Sequence, residues 1–126
     1  MPELVQREQT RVEFISCADE IEKIRAAWSR LEELVPLRGN HFFGTFDGSA
    51  YRACVEVRGR TFGLERGTIP GGRYARSRLR GEPPAVYELI GPTLDELAAT
   101  VDVDAARPFI EHYRRLDEID LLVPVA

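Results

Sequence analysis

The sequence is poor in several residue types, and each shortage narrows its chemistry. Cysteine occurs twice, as Cys17 and Cys54, histidine twice, as His41 and His112, and lysine once, as Lys23. Two cysteines make neither a disulfide framework nor a CxxC pair, and they read as buried thiols in a reducing cytoplasm. No pair drawn from these cysteines and histidines has the i,i+2 to i,i+4 spacing of zinc motifs, so no metal site is expected and both histidines read as structural or exposed. A Gly-x-Ser-x-Gly elbow, a Walker loop and a dinucleotide glycine loop are all missing, which sets aside serine-triad and nucleotide chemistry and leaves no cofactor expected. No apolar run approaches the roughly 18 residues of a membrane span, and Met1-Pro2-Glu3-Leu4 has no signal-peptide character. The expectation is a cytoplasmic protein with no membrane partner.

What remains is ample for one core. The 126 residues are 44% hydrophobic, the size of a single domain. The net charge of −4 is unevenly placed. Residues 58–80 hold seven arginines and one glutamate, a net of +6 between flanks of −3 and −7. Arg76, Arg78 and Arg80 share one strand face, and a nucleic-acid surface there is conceivable. The acidic flanks would repel phosphate, so a solvated face paired with acids from residues 82–104 is the favoured reading. After the regular elements are assigned, about ten N-terminal residues remain, too few for a helix-turn-helix. No direct nucleic-acid partner is expected.

Along the chain, Arg11–Ser16 alternates as a strand does. Asp19 and Glu22 have capping-box spacing, and behind them Ile21, Ile24, Trp28, Leu31 and Val35 recur at helical spacing until Pro36 and Gly39 stop the run. His41–Phe46 and Tyr51–Arg58 flank Asp47-Gly48-Ser49, a hairpin signal because the turn needs positive φ. Tyr51, Ala53, Val55 and Val57 point one way; Arg52, Cys54, Glu56 and Arg58 point the other. The second half repeats the order, with a strand at Arg73–Arg80 and a helical region to about Val101. Gly91-Pro92 is expected to interrupt that region and Thr93 with Glu96 to restart it. Pro108–Arg114 and Ile119–Val125 form a last hairpin. The expected fold is α+β, a tandem βαββ repeat with two antiparallel sheets, each backed by a helix. The pseudo-repeat halves are about 1–60 and 61–126 of one domain, and small-molecule sites favour the cleft between such halves.

Thr68–Ala75 (TIPGGRYA) followed by Arg80-Gly81 resembles the "IPxGxYA…G" signature of the GyrI-like small-molecule-binding family. That family includes effector-binding domains of multidrug-responsive transcription activators and gyrase-inhibitory proteins. Tyr51–Val57, Tyr87-Glu88 with Ile90-Gly91, Ile110–Tyr113 and Asp120–Val125 match further motifs in order, with Cys54 where the family usually has glycine. The resemblance implies the tandem βαββ fold and an interhalf pocket for aromatic or lipophilic cationic molecules. By position it makes Glu111 the acid that meets the ligand's charge, with Tyr113 on the same strand face. Some members are hydrolases that open strained cyclopropane rings, and others bind proteins.

Residue by residue, Glu111 is either an acid among aromatics, poorly hydrated and ready for a cation, or a solvated partner of Arg107, Arg114 or Arg115. Tyr113, Tyr51, Phe43, Phe46 and Trp28 can supply an aromatic wall, and Tyr87 can line or cap the cleft. Trp28 also lies on the apolar stripe of its helix, where core packing is the simpler role. Three functions follow from the resemblance. The first is a stand-alone binder of small aromatic or cationic molecules, for sequestration or sensing. The second is a hydrolase with Glu111 catalytic, and the third a gyrase-inhibitor-like protein binder.

Overall fold

A computed structural model of the chain describes residues 2–126. In order, the elements are β1 (Glu3–Arg7), β2 (Thr10–Cys17), α1 (Ile21–Leu34), β3 (Phe42–Phe46), β4 (Tyr51–Glu56), β5 (Glu65–Ile69), β6 (Gly72–Arg80), a 3-10 segment (Ala85–Leu89), α2 (Ile90–Ala98), β7 (Phe109–Arg115) and β8 (Glu118–Pro124). The fold is α+β, as expected. The two separate sheets are not present: all eight strands form one antiparallel sheet in the order β1-β6-β8-β7-β3-β4-β2-β5. The join is the β3–β7 ladder, which pairs Phe42 with Tyr113, Gly44 with Glu111 and Phe46 with Phe109.

That order forces the sheet to curl. β1 and β2 are its first and seventh strands, yet only Glu8 and Gln9 separate them in sequence. Six strand spacings would hold them about 29 Å apart in a flat sheet. The Arg7–Thr10 link can span at most about 11 Å. The β5–β6 connection, Pro70-Gly71, makes the same demand between the eighth and second strands. The sheet therefore bends into a half-barrel, and every strand contributes to the cluster inside it: Val5, Tyr74, Leu122, Ile110, Phe43, Cys54, Val12 with Phe14, and Ile69. The two short links cross in contact. A Cβ on Gly71 would lie 2.8 Å from both Arg7 O and Gln9 N, so only glycine fits the crossing. Arg107 holds the same corner, donating to Asp104 Oδ2 at 2.8 Å, Arg73 O at 3.1 Å and Val125 O at 2.7 Å while lying over the Tyr74 ring.

The helices cover the opposite face in two separate patches. α1 packs on β2 and β4 through Ala27, Leu31 and Val35, and α2 packs on β6 and β8 through Leu94 and Leu97. α1 stops where Pro36 drives Val35 into extended conformation (φ −126°, ψ 123°). Its start differs from the expected capping box: Glu20 is the N-cap and makes no side-chain cap bond. Ile21 is 63% exposed, off the buried stripe. Nor does Gly91-Pro92 break the second helix. Pro92 falls in the first turn of α2, where its missing N–H has no intrahelical partner to lose. The β3–β4 hairpin forms as expected, with Gly48 at φ +95° and Asp47 Oδ1 accepting from Ser49 N, Ser49 Oγ and Ala50 N.

Two buried charged groups need partners, and both have them. Glu13 is fully buried and accepts hydrogen bonds from the backbone N–H of Phe62 and Leu64, which ties down the 57–64 loop. Asp120 takes a two-pronged pair from Arg78, Nε to Oδ1 at 2.6 Å and Nη2 to Oδ2 at 3.1 Å. Arg76 reaches Glu3 and Asp120, and Arg80 reaches Glu118. The arginine face is thus ion-paired, but with Glu3, Glu118 and Asp120 rather than with acids from 82–104.

Gly71→Ala should destabilise the fold by about 1–3 kcal/mol, the range for a forced steric clash, as read by urea unfolding. His112, stacked on Phe43 with centroids 4.5 Å apart, has its pKa pushed down to about 4 by burial and by the nearby Arg7 and Arg114 guanidinium groups. The unfolded imidazole takes its proton near pH 6.5. Stability should therefore fall as pH drops from about 6.5 to about 4, and His112→Gln should flatten that part of the profile.

Candidate functional site

The seam between the two helix patches runs over β3 and β7, and the sequence places its one central carboxylate there. β7 alternates Phe109, Glu111 and Tyr113 toward the helices and Ile110 and His112 into the half-barrel. β4 directs Tyr51 to the same face as Glu111, and β3 contributes Gly44 directly opposite Glu111. Glu111 Oε1 accepts hydrogen bonds from Tyr51 Oη at 2.7 Å and Tyr113 Oη at 2.6 Å. Trp28 Nε1 donates to Tyr51 Oη at 2.9 Å, so the chain Trp28–Tyr51–Glu111–Tyr113 is continuous. The Trp28 ring meets Tyr113 edge-on at 5.1 Å, and Tyr87, 44% exposed, meets Tyr113 edge-on from the other side at 6.4 Å.

Gly44 makes this arrangement sterically feasible. A Cβ there would lie 2.5 Å from Glu111 Oε1 and 2.9 Å from Tyr51 Cζ, inside the hydroxyl that joins them. A lone glycine within a strand often marks such a close approach. That was the available signal, and sequence reasoning passed over it.

Electrostatically the site is a negative well without a counter-ion. Among the described residues no basic side chain pairs with Glu111. Arg107 is engaged by Asp104, and Arg114 by Glu118 and Asp120. Glu111 keeps some solvent contact as a residue, yet protein atoms crowd its carboxyl. Burial raises its pKa, the two tyrosine hydrogen bonds pull it back, and Asp19 pushes it up again. Burial and the Glu111 charge hold Tyr51 and Tyr113 well above the ordinary phenol range, so both hydroxyls remain donors. Burial also raises the Tyr87 pKa, with Glu32 on α1 adding to it.

Of the residues expected at an aromatic wall, the structure brings together Tyr51, Tyr113, Trp28 and Tyr87 around Glu111. Phe46 sits on the same face, packed in the α1 patch. Phe43 does not join them; the β3 alternation turns it into the half-barrel, onto His112. Trp28 both packs in the core and bonds into the site. Two cavities lie away from this seam, one of about 150 Å3 bordered by Thr45 and Arg52, the other of about 520 Å3 along residues 6–11. Neither is lined by Glu111, where the rings pack on one another instead.

No known sequence family matches the chain, and no curated protein matches it. Solved structures do. The integron cassette protein VCH_CASS2 from the mobile metagenome of Vibrio cholerae superposes with TM-score 0.79 at 14% identity, covering 98% of this chain and 95% of that one. SAV2435, in a structure bound to tetraphenylphosphonium, gives 0.73 at 14% identity over 100% and 94%. A hydrolase from Listeria innocua gives 0.55 at 9% identity over 99% and 91%. At these identities the shared property is the fold.

Gly44→Ala should cost about 1–3 kcal/mol through overpacking against Tyr51 and Glu111. Tyr51→Phe removes the clashing hydroxyl, so the double variant should lose less than the two single losses together. A double-mutant cycle by urea unfolding reads that coupling.

Proposed function

We propose that the chain is a GyrI-like domain that binds lipophilic, aromatic or cationic small molecules at the seam around Glu111. The observation carrying this reading is a crowded carboxylate, fixed by two tyrosine hydroxyls and walled by aromatic rings, that has no cationic partner among the described residues of an arginine-rich chain. Removing a charge from water costs several kcal/mol unless a partner replaces the lost hydration. A cation that is itself weakly hydrated fits that role, because it loses little on leaving water and gains the ring faces as well as the carboxylate. The solved fold neighbour SAV2435, bound to the lipophilic cation tetraphenylphosphonium, supports the same class of ligand.

In this reading Trp28 and Gly44 are positioning residues, one polarising the Tyr51 hydroxyl and the other leaving room for it. Tyr113 and Trp28 supply ring faces, Phe46 extends the apolar wall, and Tyr87 is the outermost ring, the one a ligand displaces on entry. Asp19 and Glu32 add negative potential at the approaches. Sequestration or sensing of a toxic compound is the use that such a site suits.

A second reading, hydrolysis of a strained electrophile, is favoured by one observation. Burial raises the pKa of the Glu111 carboxyl, the direction that suits a general acid, in a fold that a hydrolase from Listeria innocua shares. Glu111 would then hold and deliver the proton.

Trp28, the chain's one tryptophan, reports directly on the site. Tetraphenylphosphonium should change its fluorescence saturably, and Glu111→Gln should weaken binding roughly tenfold or more. Because the carboxylate form binds the cation, affinity in the native protein should fall as pH drops through the raised Glu111 pKa, and the Gln variant should lose this dependence. Equal affinity in both proteins at all pH values overturns the reading. Product formation from a cyclopropane-bearing electrophile, abolished by the same substitution, would establish the hydrolase.

A further inference from the structure

The 150 Å3 cavity lies on the half-barrel face, bordered by residues of β2, β3, β4 and β5 and by Ala106 and Pro108 ahead of β7. Its lining divides by chemistry. Val12, Ile69 and Pro108 form an apolar side, while Arg52, Thr45 and Thr68 bring hydrogen-bond donors. We propose that it is a binding site for a small aliphatic carboxylate, with the anionic end on Arg52 and the threonine hydroxyls and the short tail on Val12, Ile69 and Pro108.

Arg52 carries the argument. Arg76, Arg78 and Arg80 on β6, and Arg107 and Arg114, are committed to carboxylates, but Arg52 has no carboxylate within ion-pair distance among the described residues. Its guanidinium lies over the Phe14 ring, 4.2 Å from the centroid, half-buried and held in place by that contact. A guanidinium presents a planar fork of donors matched to the two oxygens of a carboxylate. Thr45, only 7% exposed, projects from the β3 residue paired with Arg52. Cys54 adds no charge, because burial pushes its thiol up to about 12.

Size and polarity then select the ligand. A cavity of this volume holds a molecule of roughly six heavy atoms. Phosphate would leave its remaining oxygens against the apolar side, and a neutral alcohol would leave the guanidinium unpaired. A short-chain carboxylate satisfies both sides. Asp47, at the same cavity, opposes an anion by its charge, although its Oδ1 is turned to the 47–50 turn.

The test is an amide NMR titration of the full chain with sodium butanoate, with sodium chloride, sodium phosphate and butan-1-ol as comparisons at matched ionic strength. Butanoate should shift the Thr45, Arg52 and Thr68 amides saturably, and the comparisons should not. Arg52→Gln should weaken butanoate roughly tenfold, the loss of one charge-assisted contact. Asp47→Asn, which keeps the Oδ1 acceptor for the turn, should tighten it. The Asp47 variant keeps the test intact should Arg52→Gln fail to fold. Shifts that do not saturate, that chloride reproduces, or that neither the Arg52 nor the Asp47 substitution alters would overturn the proposal.

Discussion

Two connections of two residues each set the shape of this molecule. Because Glu8-Gln9 and Pro70-Gly71 join strands from opposite ends of one sheet, the sheet has no flat solution, and its curl follows from chain length alone. Curling creates an inside, filled by residues from all eight strands, and a convex outside that two helices cover only in part. The uncovered seam falls on β3 and β7, the two strands that join the halves of the sheet. The functional candidate is there because the helices are not.

At the seam the balance of terms is unusual for a carboxylate. Desolvation pushes the Glu111 pKa up, and two phenol donors pull it partly back without supplying charge. A paired arginine would have stabilised the folded state more cheaply, as Arg78 does for Asp120. The chain instead directs its arginines elsewhere. A carboxylate left short of positive charge in the folded protein is a standing preference for a cation from solution, and that links the packing to the proposed activity.

Local structure was legible where local forces decide it. The alternation of Tyr51–Glu56, the Asp47-Gly48 turn and, apart from the exposed Ile21, the helical stripe Ile24, Trp28, Leu31, Val35 all appear where side-chain spacing placed them. The family resemblance pointed to Glu111, strand alternation put Tyr113 on its face, and the aromatic content of the neighbouring strands offered Tyr51. What failed was either non-local or too short to carry a signal. No residue pattern announces that β3 pairs with β7, so one sheet was read as two. β1 and β5 are five-residue strands of mixed polarity, and they pass for loop until a partner ladder is supplied. Phe43 leaves the expected wall because its one-residue offset from Gly44 sends it to the half-barrel face, away from Phe42 and Phe46. The capping box at Asp19 failed because the helix begins later than its spacing implied.

The pairing of β1 has a consequence for how the protein is made. Among the described residues Glu3–Arg7 makes its ladder with Gly72–Arg80, some 65 residues further along the chain. Until β6 has been synthesised, β1 is an unpaired strand with Leu4 and Val5 uncovered, while β2, β3, β4 and β5 already have partners among themselves. β1 therefore joins a sheet whose other end is already laddered, and β7 and β8, made later still, close the gap between them.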